Sequence, residues 1–277
     1  MYSLATMARL GISMGWVQGN KLILSADDCA SFVKKFGLEA IEVNLSNSEQ
    51  ERTDALLEGK SFADRFKFNS IHIDSRIKVS EDGVVPHLDD IMALIKLHNP
   101  DRIVSHPSDT DEKAYQIFSD RIGTPIAIEN MSVAESSFED FESLNSLSEK
   151  YGMQIVLDLQ HACEVGFEKQ DPSFAVSIAE KIINSGNLSH LHISGEIRKN
   201  GGQVYPHVPV CMATNKDEIS DLLSGILHKL VFDTVIICEG DPFFGFGDIS
   251  ESNADDAIKY AEETYWKECD YLRGIVS

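Results

Sequence analysis

Short runs of β-branched and apolar residues recur along this chain, separated by longer stretches with helical periodicity. The runs are RLGISMG (9–15), LEAIEVNL (38–45), FNSIHID (68–74), PDRIVSHP (100–107), TPIAIEN (124–130), MQIVLDL (153–159), LSHLHIS (188–194) and DTVIICEG (233–240), the first being the weakest. Between them lie stretches such as SADDCASFVKKFG, LDDIMALIKLH, FEDFESLNSLSEKYG, FAVSIAEKIINSG and KDEISDLLSGILHKL, whose apolar residues return every three or four positions. Run follows run at mostly roughly 24 to 35 residues, about one βα unit. Gly37, Gly152 and Gly186 fall just past helical stretches, where a left-handed cap is expected.

Alternating strand and helix implies a parallel sheet. Eight repeats without a Pro- or Ser-rich linker favour closure into a (β/α)8 barrel over an open, doubly wound sheet. No G-x-G-x-x-G follows any run and no G-x-x-x-x-G-K-[ST] is present, so the nucleotide-binding open sheets lack their signature here. The expectation is one TIM-barrel domain spanning 1–277.

Composition narrows the class further. The 277 residues are 43% hydrophobic and 25% charged, enough apolar material for a core of that size. No run approaches the ~18 to 20 unbroken apolar residues of a membrane span. The opening MYSLATMARLGISMGW carries Arg9 as its only charge and lacks the ordered regions of a signal peptide. Five cysteines, odd in number and without C-x-x-C spacing, fit reduced thiols, so a cytoplasmic protein with no membrane partner is expected. A net charge of −21 argues against nucleic acid, because phosphate backbones are held largely by Lys and Arg. Homo-oligomerisation is left open.

Six of the eight runs carry an ionisable group at or near the C-terminal end: His72, His106, Glu129, Asp158, His192 and Glu239. A strand buried on both faces has no use for such a group unless something pairs with it. In a parallel barrel all six strand ends meet at one mouth. Three carboxylates crowded there repel unless a cation neutralises them, and imidazole with carboxylate suits Zn, Mn, Fe or Co. His161 completes D-x-x-H after the sixth run, and His207 lies in the long loop expected after the seventh. His190 shares the inward face of His192 one layer deeper and reads as core or support. His87, His98 and His228 read as structural or solvated, and Cys238 should point away from the barrel interior.

With these residues in place, the chain resembles the xylose isomerase-like barrels, which include endonuclease IV and many sugar isomerases and epimerases. DLQHACEVGFE (158–168) is similar to the family's D-x-x-H-A-x-x-x-G-x-[DE], and IEN (128–130), SHP (105–107) and HLHIS (190–194) look like its strand-end motifs. The resemblance implies a principal metal site of Glu129, Asp158, His192 and Glu239, with one or more divalent ions per chain. It then divides. The epimerase branch implies Glu129 and Glu239 as the acid–base pair acting through a metal-stabilised enediolate. In that branch His161, Arg198 and Glu135 contact a carbohydrate-like small molecule. The endonuclease IV branch implies further ligands at His72, His106, His161 and His207. Its D-x-H after the seventh strand is here Tyr205-Pro206-His207, and no basic or wedge-like loop follows His72. A metal-dependent isomerase or epimerase is therefore the expected function. The alternatives are an endonuclease IV-like phosphodiester hydrolase, a multinuclear non-haem iron enzyme and a degenerate metal-bearing binding module.

Overall fold

The computed structural model describes residues 8–19, 22–45, 50–73, 88–107, 112–132, 138–199, 204–231, 233–246 and 254–276. His87 and Glu135 lie outside the described residues. The strands are β1 (Ala8–Ser13), β2 (Ala40–Asn44), β3 (Phe68–Ile73), β4 (Arg102–Ser105), β5 (Ile126–Glu129), β6 (Gln154–Asp158), β7 (Leu188–Ile193), β8 (Gly195–Arg198), β9 (Val204–Val208) and β10 (Thr234–Cys238). The helices are α1 (Gly15–Gly19), α2 (Ala26–Lys35), α3 (Gln50–Leu57), α4 (Leu88–His98), α5 (Glu112–Ile122), α6 (Phe141–Tyr151), α7 (Leu159–Glu168), α8 (Phe174–Ser185), α9 (Lys216–Leu227) and α10 (Ala254–Val276).

Eight strands close into a parallel barrel in the order β1-β10-β7-β6-β5-β4-β3-β2, a (β/α)8 TIM barrel. The seam joins the first strand to the last, with Ala8 opposite Thr234 and Ile12 opposite Cys238. Each of the eight apolar runs supplies one barrel strand. The helices start and stop where local chemistry dictates. Ser25 and Asp28 form a reciprocal capping box on α2, and Asp140 caps α6 by accepting from Ser143 N. Gly37, Gly152 and Gly186 adopt φ of 67°, 63° and 77° after α2, α6 and α8.

The period of two along each strand decides what fills the barrel. One set of strand residues packs outward with the helices in the main core. Leu10, Ile12, Ile41, Ile71, Ile103, Ile128, Leu157, Leu191 and Cys238 belong to it. The alternate set forms two small clusters, Ala40, Phe68, Val235 and Ile237 in one, Val104, Ala127 and Val156 in the other. These fill the lower interior. Two residues further along the same strands come Glu42, Ser70, Glu129, Asp158 and Glu239, with His106 just past β4 and His72 two beyond Ser70. Barrel interior and polar mouth are thus one alternating pattern, read at two heights.

On β7 the alternation needs an extra residue. Ile155 faces Leu188 and Leu157 faces Leu191, so two steps on β6 match three on β7. This irregularity lets Leu188 and Leu191 both pack against the outer core while His192 comes level with Asp158.

The segment after β7 departs from the expectation of a loop. β8 and β9 form a two-stranded antiparallel sheet, with Arg198 opposite Val204 and Gly195 opposite Val208. It is seated from two sides. Glu268 of α10 accepts hydrogen bonds from Val210 N and Cys211 N at 2.8 and 2.9 Å. Gly240 meets the chain at Pro209 so closely that a Cβ there would lie 2.6 Å from Pro209 Cα. The start of β10's exit loop, immediately after Glu239, is thereby locked to the end of β9.

Candidate metal centre

At the C-terminal mouth, His192 is the hub. Its Nδ1 lies 3.1 Å from Glu129 Oε2 and 3.1 Å from Glu239 Oε2. Its Nε2 faces the other way, 3.3 Å from Glu42 Oε2 and 3.2 Å from His190 Nε2. His72 and His106 pack edge to face at 4.9 Å between ring centroids. Both approach Glu129 Oε2 through Nε2, at 3.9 and 3.8 Å. Donor atoms of Glu129, Asp158, His192 and Glu239 all lie within 4.8 Å of one another, as do those of His72, His106 and Glu129 and those of Glu42, His72, His192 and Glu239. Glu129 therefore belongs to two groups and can bridge them.

The D-x-x-H segment is a strand-to-helix turn. Asp158 ends β6 and caps α7, accepting from His161 N at 2.7 Å. That capping bond turns the first coil of α7 so that His161 stands at the mouth. Its Nδ1 donates to the carbonyl of Asn130 at 2.9 Å and lies 3.1 Å from Glu129 Oε1, so Nε2 is the acceptor when the ring is neutral. Asn130 binds both ways across β5 and β6, donating to Asp158 O at 3.0 Å and accepting from Asp158 N at 2.7 Å. The Asn130 side chain thus ties the end of β5, next to Glu129, to the backbone of Asp158.

His207 sits on β9 at φ 55°, its ring 5.9 Å from that of His161 and 5.6 Å from Trp16. It lines the mouth beside the three groups without belonging to one. Arg198 is elsewhere. Its guanidinium binds Glu196, pairs with Glu218 at 2.9 Å and lies 4.2 Å over the Phe167 ring. A substrate contact by Arg198 requires it to exchange these partners. Glu135 lies outside the described residues. His98 is structural, bonded through Nε2 to Leu56 O at 2.8 Å and stacked on Phe62. Cys238 packs into the outer core.

Glu42 is the residue the strand-end reading passed over. It is wholly buried in the middle of β2, and its Oε2 accepts from Ser70 Oγ at 2.8 Å. A carboxylate inside the apolar run AIEV was itself the signal, since a doubly buried strand admits one only with partners.

The donor set fits a divalent ion on its own chemistry. His72 Nε2, Glu129 Oε2, Asp158 Oδ2 and His192 Nδ1 are buried and make no hydrogen bond of acceptable geometry, and each residue belongs to at least one of the three donor groups. Buried polar atoms are otherwise nearly always bonded. Protons compete for these positions. Burial resists charge on Glu42, Glu129 and Glu239, but the surrounding histidines, His192 foremost, hold all three carboxyls below the usual range. Burial, reinforced by the carboxylates of Glu129 and Glu239 against the pull of His161, lifts Asp158 to about 7. Burial disfavours the His72 cation, yet Glu239 and Glu42 outweigh it and raise this group to about 10. His161 and His192 are raised in the same way, while burial keeps His190 low.

Ligands bind metal as neutral imidazole and as carboxylate. In the ion-free protein below pH 7, Asp158 and His72 both hold protons that ion uptake must expel. Affinity for Zn2+ is therefore expected to rise with pH, through about 7 for Asp158 and on toward about 10 for His72. Titration calorimetry in buffers of different ionisation heat at pH 6.5 should show more than one proton released per chain. Uptake with no proton release would remove these two groups from the ligand set.

No protein-family model matches the chain, and no curated protein does. Solved structures do. A xylose isomerase domain containing protein from Salmonella typhimurium LT2 superposes with a TM-score of 0.63 at 13% identity, over 98% of this chain and 99% of that one. D-allulose 3-epimerase from Methylomonas sp. in complex with D-allulose gives 0.54 at 12% identity, covering 98% of both chains. A xylose isomerase-like TIM barrel protein from Mycobacterium smegmatis in complex with magnesium gives 0.51 at 14%, over 98% and 100%. At such identities the likeness speaks for the fold alone: this chain shares the (β/α)8 barrel of these three structures over nearly its whole length.

Proposed function

We propose that this protein is a divalent-metal-dependent isomerase or epimerase acting on a carbohydrate-like small molecule. The observation that carries the reading is the convergence of Glu129 and Glu239 on His192 Nδ1, each 3.1 Å from it. A divalent ion held by Glu129, Asp158, His192 and Glu239 would supply Lewis-acid stabilisation of charge developing on a substrate oxygen. The protein's own part is proton transfer. One of the two carboxylates removes a proton from carbon beside a carbonyl, and the other returns one to the opposite face. His161 presents its Nε2 to a substrate hydroxyl, with its ring fixed by the Asn130 carbonyl. The D-allulose complex of the Methylomonas epimerase, on the same fold, supports a polyol-like substrate.

The group His72, His106 and Glu129 favours a second reading, in which a second ion makes the centre dinuclear. That arrangement suits an endonuclease IV-like hydrolase, or an iron enzyme if the ions are iron. One experiment separates the classes. Incubation with common ketoses in deuterated buffer should give metal-dependent exchange of a carbon-bound proton next to the carbonyl, read by NMR, while an abasic-site duplex stays uncut. Incision of the duplex without sugar exchange would decide for the hydrolase.

A further inference from the structure

Below the ligand groups, the hydrogen bonds around Glu42 form a second layer whose proton positions can be worked out. An imidazole that gives one nitrogen to a metal keeps its proton on the other. His192 Nδ1 faces Glu129 and Glu239, so its proton sits on Nε2, between Glu42 Oε2 at 3.3 Å and His190 Nε2 at 3.2 Å. His190 Nδ1 is 2.9 Å from Ser189 Oγ, so either neighbour can accept; the carboxylate, already fixed by Ser70, is the stronger acceptor. The same logic applies to His72. Its Nε2 makes no hydrogen bond and faces Glu129, which puts its proton on Nδ1, toward Glu42 Oε1 at 3.6 Å and Glu239 Oε1 at 3.7 Å. The side-chain amide of Asn44, 3.4 Å from Nδ1, then turns its oxygen rather than its nitrogen to that N–H. Glu42 Oε1 likewise makes no hydrogen bond elsewhere.

We propose that Glu42 is a positioning residue that serves two ligands at once, its Oε2 holding the N–H side of His192 and its Oε1 that of His72. Each ring is thereby presented to the mouth in the tautomer and orientation that leaves the facing nitrogen free for an ion. This rests on the metal reading above. It differs from making Glu42 a ligand, because Glu42 and the pair Glu129/Glu239 lie on opposite edges of the His192 ring. Glu42 also stands within 4.8 Å of donor atoms of His72, His192 and Glu239, so the ion count of its variants separates the positioning role from a ligand role.

The test uses the full chain, stripped of metal and reloaded with Zn2+. Three quantities are read for the parent, Glu42→Leu and Glu42→Gln: ions per chain, Zn2+ Kd, and imidazole nitrogen shifts of His72 and His192 by NMR. The loaded parent should show His192 as the Nε2–H tautomer and His72 as the Nδ1–H tautomer. Glu42→Leu should keep the parent's ion count while its Kd rises roughly 10- to 100-fold, with the tautomer populations mixed. Glu42→Gln, which keeps an acceptor oxygen without the charge, should fall between the two. Loss of one ion per chain in Glu42→Gln would make Glu42 a ligand and overturn the proposal, as would a parent-like Kd in Glu42→Leu. Should the Leu variant fail to fold, the Gln variant decides: an unchanged Kd and unchanged shifts overturn it. A parent that takes up no divalent ion defeats the metal reading and this inference together, whereas parent uptake with indifferent variants defeats only the role of Glu42.

Discussion

Glu239→Gln should lower metal-dependent carbon–proton exchange by roughly 10² to 10⁴, the usual contribution of one positioned acid or base. Gln keeps the size and one oxygen donor of the buried side chain, so the ion can stay while the proton-transferring group is lost. The companion change, Glu129→Gln, should be comparably damaging, because Glu129 and Glu239 each belong to two of the ligand groups. Exchange rates must be set against ion content measured on the same samples. Full exchange by Glu239→Gln at parent metal content would remove Glu239 from the chemistry and leave the proposed acid–base pair without one member.

Stripping the metal should cost this protein more than activity. Glu42, Glu129, Asp158 and Glu239 are buried together, and their mutual repulsion is relieved only by protons or cations. Zn2+ at about 1,000 times its Kd would add roughly 4 kcal/mol of stability by mass action. For a chain of this size that should raise Tm on the order of 10 °C. His72→Ala and His106→Ala separately test the second ion. Each should lower the ion count from two to one per chain and trim the gain in Tm. If both variants matched the parent in ion content by elemental analysis, the centre would hold a single ion.

The barrel was legible because two periodicities repeat without interruption. Strand runs such as AIEVN and TVIIC and helical stretches such as ADDCASFVKK each point to one element, and the glycines after α2, α6 and α8 stand at the stops. The convergence of His72, His106, Glu129, Asp158, His192 and Glu239 was equally legible, since strand ends in a parallel barrel meet. Glu42 shows where that rule ends. It pairs with Ser70, one inward step below His72, yet its carboxylate reaches His192 across the barrel. Strands in a barrel are staggered, so the middle of one lies level with the end of another. Stagger is a property of closure and cannot be read from a single run. Arg198 illustrates a different limit. H-x5-R spacing fixes its distance along the chain from His192, but Glu196 and Glu218, from β8 and α9, decide where its guanidinium goes. The hairpin β8–β9 was hidden by its sequence: β8 is GEIR, with a glycine and two charged residues, and Pro206 interrupts β9.

The seam between β1 and β10 has a kinetic consequence. The barrel closes only when the first strand meets the last, more than two hundred residues later, so the contacts at this seam are among the least local in the molecule. Glu239 stands on the late side of that seam and its partners Glu129, His72 and His192 come earlier in the chain. An ion joining them works as a clasp fastened after the barrel has formed. Interactions absent from the folding transition state leave the folding rate alone and slow unfolding. Zn2+ should therefore shift the unfolding limb of a denaturant chevron downward and leave the refolding limb near its metal-free position; an accelerated refolding limb would mean that the ligands gather before the seam closes.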